Sequence, residues 1–259
     1  MRSVRLRMLL GAAGLLLAAL PALAQYPPPP PPPPGGPYGS GPGPGPYYHH
    51  RGESDQFVEF RLWAGEFVPD FHGDFWDNNF RNFTGSRNDF QDVIGGGDFI
   101  FHFDRHNALM VSASYYTSNG LESYRAFLDQ DNNPIRHRTT LDITAGTVGY
   151  VLFPAGTHAP VIPYLGAGVG VYGWRLHENG DFVDFGQGNS IFTSSNSDSG
   201  AAFGYFFVAG LEVPVTRHVA LLVDGRYTKA HANLGGDFGG FGRLELSGGQ
   251  IVGGVAFHL

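Results

Sequence analysis

"PYLGAGVGVYGW", Pro163 to Trp174, admits two readings that lead to different chemistry. Gly168-Val169-Gly170-Val171-Tyr172-Gly173 fits G-x-G-x-x-G, under which a dinucleotide pyrophosphate sits on a helix N-terminus. That reading needs a helix opening at the glycines and an acid at the end of the next strand. The glycines lead instead into Tyr172, Trp174 and a polar stretch, so the match is accidental and no nucleotide is expected. The alternative is a strand with two unlike faces. Gly166, Gly168 and Gly170 lie on one side, and Leu165, Ala167, Val169 and Val171 lie on the other.

Seven further segments share this two-residue period. The first, Gln56 to Val68, sets Val58, Phe60, Leu62 and Ala64 against Glu59, Arg61 and Trp63. The second, Val93 to Phe103, sets Phe99, Phe101 and Phe103 against Asp98, Ile100 and His102. The third, Ala108 to Tyr116, alternates Leu109, Val111, Ala113 and Tyr115 with Met110, Ser112 and Ser114. In the fourth, Thr140 to Phe153, the apolar face holds Leu141, Ile143, Ala145, Val151 and Phe153. The sixth, Ala201 to Val215, places Phe203, Tyr205, Phe207 and Leu211 opposite Gly204, Gly210 and Glu212. The seventh, Val219 to Thr228, places Leu221, Val223 and Tyr227 opposite Asp224 and Arg226. The last begins near Glu245 and lays Ile251, Val255, Phe257 and Leu259 on one face.

Short connections at 104–107, 154–162 and 216–218 alternate with long ones at 69–91, 117–139, 178–200 and 229–242. Strands of about ten residues with turns sorted by side predict an all-β fold. The expected architecture is an eight-stranded antiparallel transmembrane β-barrel, with short periplasmic turns and long extracellular loops. Its apolar faces would meet lipid, and its glycine, serine and charged faces would fill a narrow lumen. Glu59 and Arg61, and Asp224 and Arg226, are acid-x-Arg pairs on one face, about 7 Å apart. With Asp98 and Glu212 they are expected to form a lumenal charge network, and Gly166, Gly168 and Gly170 to be the small lumen-facing positions beside it.

The N-terminus agrees with export. Arg2, Arg5 and Arg7 precede the apolar run Met8 to Leu20, and Ala22-Leu23-Ala24 comes after it. This reads as a signal peptide, 1–24, because 13 apolar residues reach only about 20 Å of the roughly 30 Å needed to span a membrane as a helix. Residues 25–54 are a proline- and glycine-rich linker expected to be disordered, and 55–259 form the barrel domain. Without residues 1–24 the chain holds 13 Lys+Arg (16 less three arginines) against 23 Asp+Glu, a formal charge of −10. Such a chain, with Lys229 its single lysine, has no footprint for nucleic acid. It has no cysteine, so disulfides and thiolate metal sites are excluded.

These segments resemble the small outer-membrane barrels of the outer membrane protein A and X type. "PYLGAGVGVYGW" resembles that family's fifth strand. "GLEVPVTRHVALLVDGRYT", Gly210 to Thr228, resembles its sixth-to-seventh hairpin with an inward Glu212 and an inward Asp224 and Arg226. "GGVAFHL" resembles the terminal strand, in which Val255, Phe257 and Leu259 would be the C-terminal assembly signal read by the barrel-assembly machinery. Leu259 replaces the usual terminal aromatic, which puts assembly efficiency in question. The resemblance implies an outer-membrane location, lipid and lipopolysaccharide as partners, and a role in envelope integrity, surface interaction or a narrow pore. It leaves the surface ligand open.

The competing class is a lipopolysaccharide acyl hydrolase or acyltransferase. None of the 11 histidines has serine two positions later; the nearest arrangement is His137-Arg138-Thr139. A base must reach the hydroxyl it activates, so no catalytic residue is expected. Neither a metal nor a cofactor is expected. "DQDNNP", Asp129 to Pro134, reads as a solvated turn because it lacks the glycine and distal Glu of a calcium loop.

Overall fold

The computed structural model describes residues 57–259 except Gln187. The signal peptide and linker lie outside the described residues. Nine strands form in chain order: β1 (Val58–Pro69), β2 (Asp92–His102), β3 (Asn107–Leu128), β4 (Pro134–Leu152), β5 (Ile162–Asp184), β6 (Ser190–Pro214), β7 (Val219–Asn233), β8 (Arg243–Glu245) and β9 (Gly248–His258). Eight of them make one closed antiparallel ring. Each of β1 to β6 pairs with its successor, β7 pairs with β9, and β9 returns to β1. The three-residue β8 stands outside that ring, pairing only with the far end of β7. The predicted eight-stranded barrel is therefore present, with the last loop folded onto its wall.

Within the ring closure leaves no strand edge, so its backbone groups are satisfied internally, while the overhanging end of β6, 190–203, pairs with β5 alone. Its outer surface carries Phe99, Phe101, Val169, Tyr205, Phe207 and Leu211 in the open, with Phe203 79% and Ile251 71% exposed. An apolar surface on that scale is incompatible with water and suited to a hydrocarbon core. The belt has a limit. On β5 the outward residues Leu165, Ala167, Val169 and Val171 give way to Arg175, His177 and Asn179. About ten residues suffice to cross a bilayer, and β5 has 23. Its distal half stands clear of the membrane on the long-loop side.

That overhang corrects two expectations. Residues 117–139 and 178–200 are not loops over most of their length. They continue as strand, and the tips are the turns at 129–133 and 185–189. Ladder pairing persists beyond the belt while the outer face turns polar, so the apolar alternation that marks a membrane strand fades without the strand ending. The tip at 129–133 is the expected solvated turn: Asp129 accepts from the backbone N–H groups of Asp131 and Asn133, and Asn132 has φ 60°. The first long connection holds a helix, α1 (Asp74–Asn82), and a 3-10 turn at Arg87–Phe90.

The second correction concerns β4. Leu141, Ile143, Ala145 and Val151 point into the barrel, whereas Asp142 and Thr144 point out. At the level of 141–145 the wall has left the lipid, so that apolar set packs inside; Val151, between the exposed Tyr150 and Leu152, packs into the short-turn half of the lumen. The interior is also less polar than glycine, serine and charge. Trp63, Phe67, Tyr116, Tyr172 and Trp174 fill its long-loop half, and Met110, Phe153, Tyr164 and Phe206 its short-turn half. The inward glycines accommodate these rings. A Cβ on Gly168 would come within 2.6 Å of the Phe206 ring, and one on Gly210 within 2.7 Å of the Tyr164 ring.

Candidate functional site

The six charged residues expected in the lumen all lie inside the barrel, gathered around two arginines. Adjacent strands β1 and β2 put Arg61 opposite Asp98, yet Arg61 turns the other way. It donates from Nε to Glu59 and from Nη2 to Glu212 Oε2 at 2.8 Å. The remaining carboxylate oxygens meet histidines. His102 Nε2 is 3.1 Å from Glu59 Oε2, and His258 Nε2 is 2.8 Å from Glu212 Oε1. Phe57 stacks on the His102 ring at 4.0 Å. This group sits near the short-turn mouth.

Arg226 holds the other group. It binds Asp98 through Nη1 and Nη2 at 3.1 and 2.7 Å and Asp224 through Nε at 2.9 Å. Ser112 Oγ and Trp63 Nε1 also donate to Asp98, at 2.6 and 2.9 Å. Trp63 lies beneath the guanidinium, 4.1 Å from Cζ to ring centroid. Tyr164 joins the two groups. Arg61 Cζ lies 4.4 Å over its ring, and its hydroxyl donates to Asp224 at 2.8 Å. Two buried cations thus face four buried carboxylates with their donors and acceptors largely matched, as burial of charge requires.

A third polar group, which the sequence pattern did not reveal, occupies the overhanging half of the barrel. Glu122 on β3 faces His137 on β4, with 3.3 Å from Nε2 to Oε2. The same carboxylate oxygen accepts from Thr139 Oγ1 and from Asn79 Nδ2 of α1, both at 3.1 Å. Thr139 Oγ1 is also 3.5 Å from Glu178 Oε1 on β5. Burial pushes the Glu178 carboxyl up to about 7; Glu122 adds to the rise, and the neighbouring His137 only partly opposes it. Inward alternation continued past Tyr116 through Ser118 and Gly120 to Glu122 was the available signal.

Space of small-molecule size adjoins this group. A cavity of about 410 Å³ opens between α1, the β3 and β5 overhangs and the last loop. By contrast, the space in the lumen beside Arg226, bounded by Trp63, Tyr116, Tyr172 and Phe206, is about 40 Å³. Donor atoms of Glu59, Glu212 and His258 lie within 4.8 Å of one another, a set a divalent ion would accept. Arg61 is paired with both carboxylates, so an ion there would have to compete with a buried guanidinium. Gly166, Gly168 and Gly170 lie on the inner face of β5, and Val255, Phe257 and Leu259 on the outer face of the closing strand and its end.

A closed ring, a lipid-facing belt and a charged, aromatic interior settle the architecture. It is an eight-stranded antiparallel β-barrel with a lipid-facing belt. No protein-family model matches the chain, and no curated protein matches it. Among solved structures it is similar to the outer membrane protein OprG from Pseudomonas aeruginosa, at 14% identity and TM-score 0.47, covering 80% of this chain and 97% of that one. It is also similar to Neisserial surface protein A, at 15% identity and TM-score 0.43, with 79% and 97% covered. The N-terminal β-barrel domain of Pseudomonas aeruginosa OprF gives 11% identity and TM-score 0.38, with 80% and 98% covered.

Proposed function

We propose that the protein is a non-enzymatic, non-conducting barrel that supports the outer membrane and presents a surface site on its long-loop side. One observation carries this reading: the void in the lumen beside Arg226, which is paired with Asp98 and stacked on Trp63, is only about 40 Å³. A water needs some 10–15 Å³ of such space, so the void takes a few waters and no hydrated ion file. Arg61, Arg226 and their carboxylates act as the plug, and the six residues are structural pins. Lipid and lipopolysaccharide meet the outer belt. The barrel-assembly machinery reads the C-terminal strand through Val255, Phe257 and Leu259.

Planar-bilayer recording on the full chain tests the plug. The wild-type protein is expected to give no resolved steps, while Arg226→Ala, which removes the guanidinium beside that void, gives small discrete ones. Regular wild-type steps would replace the plugged barrel with a constitutive narrow pore.

A further inference from the structure

The cavity in the overhanging half carries chemistry of its own. Its walls are aromatic, with Phe83 and Tyr124 on one side and Phe182 and Phe185 on another. Its volume, about 410 Å³, falls in the range of small-ligand pockets, roughly 300–1,000 Å³. Its polar lining holds a buried carboxylate without a cation. Glu178, 7% exposed, accepts from the Thr139 hydroxyl at 3.5 Å and has no guanidinium or ammonium in ion-pair contact among the described residues.

Behind the lining, Asn79 Oδ1, in a residue 4% exposed, is closed off from solvent and has no hydrogen-bond partner among the described residues. Its orientation is fixed by chemistry. The amide nitrogen must face Glu122 Oε2, since a carboxylate only accepts, and the oxygen is left as the free group. An unpaired buried acceptor is destabilising, and a buried carboxylate without a cation is more so. Glu122 lies behind Glu178 through Thr139, adding negative charge at the same end. Arg81 and Arg125 also line the cavity, but both are exposed, where solvent and salt screen them.

We propose that this cavity is a binding site for a primary ammonium carried on a small aromatic or apolar body. The ammonium supplies three donors and the missing positive charge to Glu178. The apolar body stacks among Phe83, Tyr124 and Phe182, where cation–π attraction adds to burial. An anion of the same shape would add negative charge beside Glu178 and Glu122.

Calorimetric titration of the refolded full chain in detergent micelles, with three matched probes, tests this. Phenethylammonium is expected to bind saturably, more tightly than phenethyl alcohol, and 3-phenylpropionate least. Glu178→Gln, verified as folded by heat-modifiable gel migration, should weaken phenethylammonium by about tenfold or more and leave the alcohol unchanged. Equal or tighter binding of the carboxylate, or an unchanged ammonium affinity in Glu178→Gln, would overturn the proposal. Should that variant not fold, contacts between phenethylammonium protons and the Phe83 and Phe182 rings of the wild-type protein, read by nuclear Overhauser effects, decide instead. Their absence at saturating ligand rejects the site. None of these readouts depends on whether the lumen conducts.

Discussion

Arg226 and Asp98 meet across the lumen in a two-pronged pair, 3.1 and 2.7 Å long, between residues 128 positions apart in sequence. The pair is sealed by the Trp63 ring beneath the guanidinium. Removing one partner leaves an uncompensated charge in a low-dielectric interior, at a cost of about 3–5 kcal/mol. Arg226→Gln is therefore expected to lower the temperature at which the heat-modifiable gel form is lost. Arg226→Leu combined with Asp98→Leu, which removes both charges, should lose less than the single Arg226→Leu. A double variant as unstable as the sum of its singles would mean that the two residues are uncoupled and would overturn the orphaned-charge reading.

Gly168 tests the steric basis of the β5 inner face. A Cβ there would lie 2.2 Å from the Val148 carbonyl oxygen and 2.5 Å from the Gly149 Cα, both backbone atoms that cannot swing aside. Gly168→Leu is expected to abolish assembly, measured as heat-modifiable protein in the outer-membrane fraction. Gly146→Ala is the matched control, since nothing lies within 4 Å of its added Cβ. It should assemble as wild type.

Helix α1 closes the long-loop end through Trp76, which is fully buried, stacks on Phe71 at 3.8 Å and donates from Nε1 to the Glu245 carbonyl at 3.3 Å. Loss of a core tryptophan typically costs about 3–5 kcal/mol. Here the cost should fall on the cap and not on the ladder-bonded ring. Trp76→Ala is expected to expose Arg81 or Arg87 to trypsin while the barrel keeps its heat-modifiable migration. Cleavage no faster than wild type would mean that α1 is held by other contacts.

The legible part of the sequence is set by where the solvent changes. Within the belt, alternation has lipid on one side and a packed lumen on the other, so Glu59, Arg61 and Trp63 could be assigned inward from period alone. Which carboxylate each arginine takes could not be read: Glu212 lies 151 residues from Arg61, and only ring closure brings them together. Beyond the belt the outer face becomes polar and the contrast that reveals a strand disappears. The Glu122, His137 and Glu178 group lies in that region, where only the inward alternation continued to Glu122 points to it and nothing in the outer face does. Helix α1 was missed for a related reason, since its buried Phe75, Trp76 and Asn79 dock onto residues supplied by distant strands and the last loop.

Glu178 predicts a pH dependence confined to the overhang. Its carboxyl is pushed from the ordinary carboxylate range up to about 7, first by burial. A folded-state value raised above the unfolded one means the protonated form is favoured by folding. The contribution is therefore complete below about 4.5 and is lost as pH rises through about 7. The groups facing it are Glu122 on β3 and His137 and Thr139 on β4, with Asn79 of α1 behind Glu122. Amide hydrogen exchange at the ends of β4 and β5 should accordingly be slower at pH 5 than at pH 8 after correction for intrinsic rates. Amides within the belt, such as those of Val169 and Phe207, should show no such difference. Glu178→Gln, which stays neutral throughout, should remove the dependence. A slope of the same size in that variant would assign the effect to another titrating group.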